Sequence, residues 1–393
     1  MQRVTLPCKF CPHFMKKNLL DGSRLTTFAA VTAMVAVTLS SHATSEIIVG
    51  RSLPLSGAQV SYGTAKQDGA DALIARVNRE GGVNGQQIRV VTMDDGYVPA
   101  KTVANLKQLA DEQRPVAFLG LFGVPTVAAA LPVVAELKIP AVGVTSGTAA
   151  VRAGYLRYVF PVRGSYADEA RLIVSHLKVI GLTKIAIVQQ DIPFGQATRD
   201  IFVAELTAAG ITTFTENKVS ATGDNAAGVL ATIKQSQPQA IFLAMLSNAA
   251  IPVVRELSAQ LRGVSSYACS PVDTTLVMKQ TEGAAKGLGV TQIVPIPSGA
   301  SMLVVRDYRR DLEALKRGEP SFYSLEGYLE AAVLVEGLRR TNSASPNPES
   351  LVKALETMSP YDIKGFNVRY SGRAHEGSRY VDLTVIGKNG VMH

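Results

Sequence analysis

From about residue 46 the chain alternates short apolar runs rich in valine and isoleucine with longer stretches whose apolar residues recur every three or four positions. The runs Ile47–Val49, Ile88–Val91, Val116–Leu119 and Ala141–Val144 read as buried strands, and Gly63–Arg79, Ala100–Glu112 and Thr126–Leu137 as the helices between them. Strand followed by helix, repeated, predicts parallel βαβ units. The segment Glu80-Gly81-Gly82-Val83-Asn84-Gly85 breaks the first helix and turns the chain into the second strand.

The second half repeats the scheme. Strands are expected at Lys184–Val188, Ile211–Val219 and Ala240–Met245, with helices at Gly195–Ala209, Asn225–Gln235 and Ala249–Leu261. Both halves also share a finer order: an acidic turn, a helix, a proline (Pro115 or Pro238) and an apolar strand. This internal repeat predicts two related α/β lobes. Ligands of open α/β sheets sit beyond the carboxyl ends of the strands, so facing lobes would share one site in the cleft between them. After Leu288 the pattern changes. The stretch 290–297 is extended and proline-rich, Ser324–Thr341 resumes a long helix, and the alternating stretches Phe366–Tyr370 and Tyr380–Ile386 end at a Gly-Lys-Asn-Gly turn, 387–390.

The first 43 residues have a different character. Lys16, Lys17 and Arg24 precede the uncharged run Leu25–Leu39, and Ser41-His42-Ala43 follows it, the pattern of a secretory signal peptide cut after Ala43. Residues 1–14 stand ahead of a start that looks complete at Met15, which suggests a mis-assigned upstream initiation. Cys8, Cys11 and His13 fall in that leader and lack the second ligand pair a structural zinc site needs. Cys269 is then the sole cysteine of the exported chain, leaving no disulfide and placing the burden of stability on a large core.

Cleavage also changes the charge. It removes Arg3, Lys9, Lys16, Lys17, Arg24 and Asp21, and the formal net charge falls from +8 to +4. The remaining basic residues are interspersed with acidic ones, which gives no footprint for nucleic acid. No Gly-x-Ser-x-Gly elbow, dinucleotide fingerprint, phosphate loop or metal-type histidine pair occurs, so an enzyme is not expected, and neither is a cofactor.

Several segments, in this order and spacing, resemble the type I periplasmic solute-binding proteins of ABC importers, in the branched-chain amino-acid (Leu/Ile/Val) binding branch. They are Leu-Pro-Leu-Ser-Gly (53–57) with Tyr62-Gly63, Glu-Gly-Gly-Val-Asn-Gly (80–85), Asp94-Asp95, Gly-Leu-Phe-Gly-Val-Pro-Thr (120–126), Ile-Pro-Ala-Val-Gly (139–143) with Ser-Gly-Thr (146–148), Asp-Ile-Pro-Phe-Gly (191–195) and Glu-Gly-Tyr-Leu-Glu-Ala (326–331). The resemblance implies two Rossmann-like lobes joined by three crossovers, near Phe160–Gly164, Gly289–Pro295 and Tyr370–Glu376. Residues 44–162 with 292–370 would form lobe one, and 163–291 with 371–393 lobe two. It implies a periplasmic monomer that captures a small carboxylate-bearing solute, such as a branched-chain or other amino acid, by hinge closure and delivers it to the membrane permease subunits. A sensor that reports an aromatic acid, other carboxylic acid or amide to a signalling partner is the alternative.

The resemblance also carries site residues. Val124, Pro125 and Thr126 match a helix start whose free N–H groups hold the ligand carboxylate, and Ser146, Gly147 and Thr148 match the second contact loop. Helix capping is the competing reading for these hydroxyls. Tyr62, Phe122, Tyr166 and Phe194 match aromatic positions lining the cleft, although core packing is as good a reading for Phe122. Arg163 fits either an anionic ligand or a hinge ion pair. The acidic residue that takes the ammonium in amino-acid binders is missing at Ser270-Pro271-Val272. Asp273 follows, either as its substitute or as the cap of a helix from Thr274. Without an anion there, a buried ammonium would be costly and the solute should lack an amine.

Overall fold

The computed structural model describes residues 46–387 apart from Ala153, Ala300 and Ser359. The expected signal peptide, the leader cysteines and residues 388–390 of the last turn lie outside the described residues. In chain order β1 (Ile47–Leu53), α1 (Val60–Arg79), β2 (Ile88–Asp94), α2 (Pro99–Gln113), β3 (Ala117–Leu119), α3 (Val124–Leu137), β4 (Ala141–Val142) and β5 (Val159–Phe160) build a parallel sheet ordered β2-β1-β3-β4-β5. Next come α4 (Tyr166–Val179), β6 (Ile185–Gln190), α5 (Pro193–Ala208), β7 (Phe214–Val219), α6 (Ala226–Gln235), β8 (Ala240–Ala244), α7 (Ser247–Gln260), β9 (Ser265–Ala268), α8 (Thr274–Thr281) and β10 (Leu288–Gln292). The chain ends with α9 (Leu303–Leu315), α10 (Phe322–Arg340), α11 (Pro348–Glu356), β11 (Tyr361–Ile363), β12 (Phe366–Ser371), β13 (Ala374–Gly377) and β14 (Asp382–Val385).

The second sheet runs β14-β10-β9-β8-β6-β7 and is parallel except for β14, which pairs antiparallel with β10. Strands such as Ile185–Gln190 and Ala240–Ala244 are buried at every residue, as parallel strands covered on both faces must be, and so Ile185–Val188 and Ala240–Ala244 read as continuous apolar runs. Two expected strands are shorter than their apolar runs. Ala141–Val144 stops at Val142 because Gly143 turns to a φ of +75°, and Ile211–Val219 starts only at Phe214.

The chain passes between the sheets three times. Phe160 and Val162 pack in the first lobe's core and Ala170 and Ile173 in the second's, so the first passage lies between Val162 and Tyr166. Ile293 and Val294 return to the first core directly after β10. The last passage follows Gly377, later than Tyr370–Glu376, because Ala374–Gly377 folds back to pair with β12 before the chain leaves as β14.

Two helices distant in sequence set the first lobe's shape. A Cβ on Gly69 would lie 1.7 Å from the Ser324 carbonyl oxygen, and one on Gly327 would lie 2.2 Å from that of Lys66. Glycine at both positions lets the backbones of α1 and α10 touch, which brings polar side chains of both into the interior.

Candidate functional site

The carboxyl ends of β1 and β3 and the start of α1 carry Tyr62 and Phe122, whose rings stack with centroids 5.4 Å apart. Tyr97 and Tyr323 complete this group, at 5.9 Å from Phe122 and 4.7 Å from Tyr62. Tyr97 follows β2 at φ +65°, held there by its own N–H donating to Asp95 Oδ1 at 2.9 Å. Asp95 is buried and also accepts from Ser52 and Thr102, while Asp94 accepts from the amides of Leu55 and Gly96. The Asp94-Asp95 motif therefore braces the loops at the cleft edge.

The second lobe supplies Phe194 at the start of α5, with Leu246 after β8, and Tyr166 opens α4. Tyr166 and Phe194 meet edge to face at 5.7 Å, and Val124 of the first lobe packs against this cluster. Gly147 lies directly under the Tyr166 ring, where a Cβ would come within 2.5 Å of it. The Tyr166 N–H donates to the Gly147 carbonyl at 2.8 Å. Tyr62 crosses the cleft through its hydroxyl. It donates to the Pro271 carbonyl at 3.0 Å and accepts from the Ser247 N–H at 3.1 Å. Burial pushes the Tyr62 phenol pKa up, and that of Tyr166 to about 12, so both phenols stay neutral.

The hydroxyls differ in what they do. Thr126 Oγ1 donates back to the carbonyls of Phe122 and Gly123 and is committed to its own loop. Ser146 and Thr148 hydroxyls lie 3.0 Å apart, bonded to each other. Thr148 precedes the short turn Ala149–Val151 and makes no side-chain cap there. The Ser146 carbonyl accepts from Arg152, which also donates to the Arg163 carbonyl.

Asp273 caps α8. Both capping bonds, from the amides of Thr275 and Leu276, fall on Oδ1, and its own N–H donates to Ser247 Oγ at 2.7 Å. Burial raises its pKa against the lowering effect of those two amides. Arg163 takes the hinge ion-pair role. Its guanidinium, buried, contacts Glu169 at 2.8 Å and Ser270 Oγ at 2.6 Å and lies 4.9 Å over the Tyr166 ring.

The residues expected at the site thus gather around one cleft. Sequence reasoning missed Tyr97, Leu246, Ser247, Ser270 and Tyr323. For Tyr97 a signal existed, an aromatic residue directly after an Asp-Asp-Gly turn at a strand end.

Two parallel-sheet lobes facing an aromatic-lined cleft, joined by three chain passages, define the fold of type I periplasmic binding proteins. The chain belongs to the periplasmic binding protein family, whose model matches residues 46–390. An amino acid binding protein of Pseudomonas aeruginosa is 24% identical over 331 residues, covering 83% of this chain and 86% of its own. Leu/Ile/Val-binding protein homolog 1 of Brucella abortus is 24% identical over 345 residues, covering 86% and 90%. Among solved structures, a substrate-binding periplasmic protein from Ralstonia solanacearum superposes with a TM-score of 0.81 at 30% identity, covering 88% of this chain and 99% of its own. A branched-chain amino acid ABC transporter protein from Thermus thermophilus with bound valine shares the fold, with a TM-score of 0.80 at 17% identity and coverage of 89% and 95%. No helix among the described residues is long and apolar enough to cross a membrane.

Proposed function

We propose that this chain is the extracytoplasmic solute-binding component of an ABC importer, and that it binds rather than transforms a small carboxylate-bearing solute with an apolar or aromatic body. The observation that carries the reading is the loop Ser146–Thr148, whose two hydroxyls bond each other and whose Thr148 side chain caps nothing. Such a hydroxyl pair can turn both donors onto one carboxylate, a charge-assisted contact stronger than the bond it replaces. The rings of Tyr62, Tyr97, Phe122, Tyr166 and Phe194 supply an apolar wall for the rest of the solute.

An amine on the solute would have to meet Asp273, whose Oδ2 takes neither capping bond. Burial works against the charge of that carboxyl, which favours a carboxylate without an ammonium. A thermal-shift screen with L-leucine, L-valine, L-phenylalanine, phenylacetate, 4-hydroxybenzoate and octanoate tests the reading. A native-state ligand raises the midpoint in proportion to the logarithm of its concentration once it exceeds Kd. A midpoint unmoved by every carboxylate in the series, or product formed from any of them, would sink it.

A further inference from the structure

The ammonium of Lys66, on α1, is buried in the first lobe, where it donates to Glu330 Oε1 at 2.7 Å and to Thr145 Oγ1. Thr145 in turn donates to the same Glu330 oxygen at 3.1 Å. Thr145 is the residue before Ser146, and its backbone bridges to Phe122. Glu330 also lies under Gly143, where a Cβ would come within 2.5 Å of its carboxyl carbon. One lysine and one glutamate from two helices therefore floor the loop that runs from Gly143 to Thr148.

These residues continue into a longer row of buried charge. Lys66 lies 3.7 Å from Glu326, and Glu326 lies 4.0 Å from Arg163. Arg163 pairs with Glu169, which accepts from the Ser270 amide and hydroxyl and from Thr291 in the second lobe. The row thus starts beneath the hydroxyl loop and ends in the opposite lobe. Ionised side chains so far from water are costly unless each is matched, so the row holds together as a unit.

We propose that Lys66, Glu330 and Thr145 are positioning residues of the solute site: they fix the hydroxyl loop from beneath and tie its geometry to the charge row that spans the lobes. The proposal rests on the reading that Ser146 and Thr148 contact the solute. Within the row the carboxylates Glu169, Glu326 and Glu330 outnumber the cations Lys66 and Arg163 by one, so one carboxyl has reason to hold a proton. Burial raises the Glu330 pKa to about 8, Lys66 opposing and Glu326 adding to the shift. Besides these, the phenol of Tyr370 on β12 faces it.

The test has two arms. Amide exchange of solute-free protein reads positioning directly. In Thr145→Val, which removes one hydroxyl at constant shape, and in Lys66→Met, the peptide spanning residues 143–148 should exchange tenfold or more faster while α1 and α10 keep their protection. Unchanged loop exchange overturns the proposal. So does equal loosening of both helices, which would mark a merely structural pair. In the second arm, calorimetry with L-leucine and phenylacetate should show affinity falling severalfold in both variants, and affinity unchanged in both overturns the tie between this floor and the solute site. Ser146→Ala with Thr148→Ala, run beside them, isolates the underlying reading: unchanged affinity there removes solute contact at the loop, whatever the exchange shows.

Discussion

The hydroxyl of Tyr62, in the first lobe, donates to the carbonyl of Pro271, in the second, at 3.0 Å. The same oxygen accepts the Ser247 amide, so one phenol closes two bonds across the cleft. Such bonds are worth about 0.5–1.5 kcal/mol each. Tyr62→Phe, which keeps the stack on Phe122 and loses both bonds, about 1–3 kcal/mol in all, should weaken solute affinity by roughly five- to a hundred-and-fiftyfold on that scale. Small-angle scattering should show a larger radius of gyration for the variant at the same solute concentration.

Ser146→Ala with Thr148→Ala should lower affinity for a carboxylate tenfold or more, because hydrogen bonds to charged groups contribute about 1.5–3 kcal/mol. The melting point of the solute-free protein should hardly move, since Thr148 caps nothing. A lowered melting point with unchanged affinity would assign the pair a purely structural role.

Gly147 and Tyr166 give a paired prediction. A Cβ at position 147 would lie 2.5–2.7 Å from ring atoms of Tyr166, well inside van der Waals contact. Gly147→Ala should therefore hold the lobes apart and cost most of the affinity, measured by calorimetry and scattering. Adding Tyr166→Ala should restore compaction on solute addition, a coupling that a double-mutant cycle reads directly.

Asp273 separates cap from charge. Asparagine caps as well as aspartate, whereas alanine loses about 1 kcal/mol. The folded-state pKa of Asp273 is raised, so its contribution is fully present below the unfolded value near 3.8 and is lost as pH rises through the folded one. At pH 7 Asp273→Asn should be at least as stable to urea as the wild type, and Asp273→Ala less stable. Weaker L-leucine binding by the Asn variant would show that the carboxylate holds an ammonium; unchanged phenylacetate binding would accompany a solute without one.

Glu169→Gln removes the partner of a fully buried guanidinium, and breaking such a pair costs about 3–5 kcal/mol. Urea unfolding should show that loss. A variant as stable as the wild type would mean Arg163 finds another anion, with Glu326 the neighbour at 4.0 Å.

Much of this was legible along the chain because parallel strands covered on both faces leave continuous apolar runs, as at Ile185–Val188. Expected helices at Gly63–Arg79 and Thr126–Leu137 fall within α1 and α3. The pattern was less informative where local preference does not decide. Helices α4, α9 and α11 are absent from the expected elements even though α9 and α11 are clearly amphipathic and Ser165 and Asn347 open capping boxes that mark two of the three. Lys66 and Glu330 look like solvent-facing charges on amphipathic helices. Their burial follows from Gly69 and Gly327, which bring together segments far apart in sequence. Tyr323 reaches Tyr62 by the same long-range approach. For Asp273 both roles were readable, and only the position of Oδ1 against two amides shows that it caps.

The contact between α1 and α10 has a further consequence, in time rather than in space. Residues 60–79 have their principal helical neighbour at 322–340, so the first-made part of the chain finds its packing surface only when nearly all of the rest exists. Contacts that close so long a loop form slowly, because chain entropy is lost before burial rewards it. The first lobe's core is therefore completed only when residues 322–340 join residues 60–79. The second lobe, built mostly from the continuous stretch 166–292, has no such dependence on the end of the chain apart from β14, so the two lobes differ in how much of the chain each needs before its core can close.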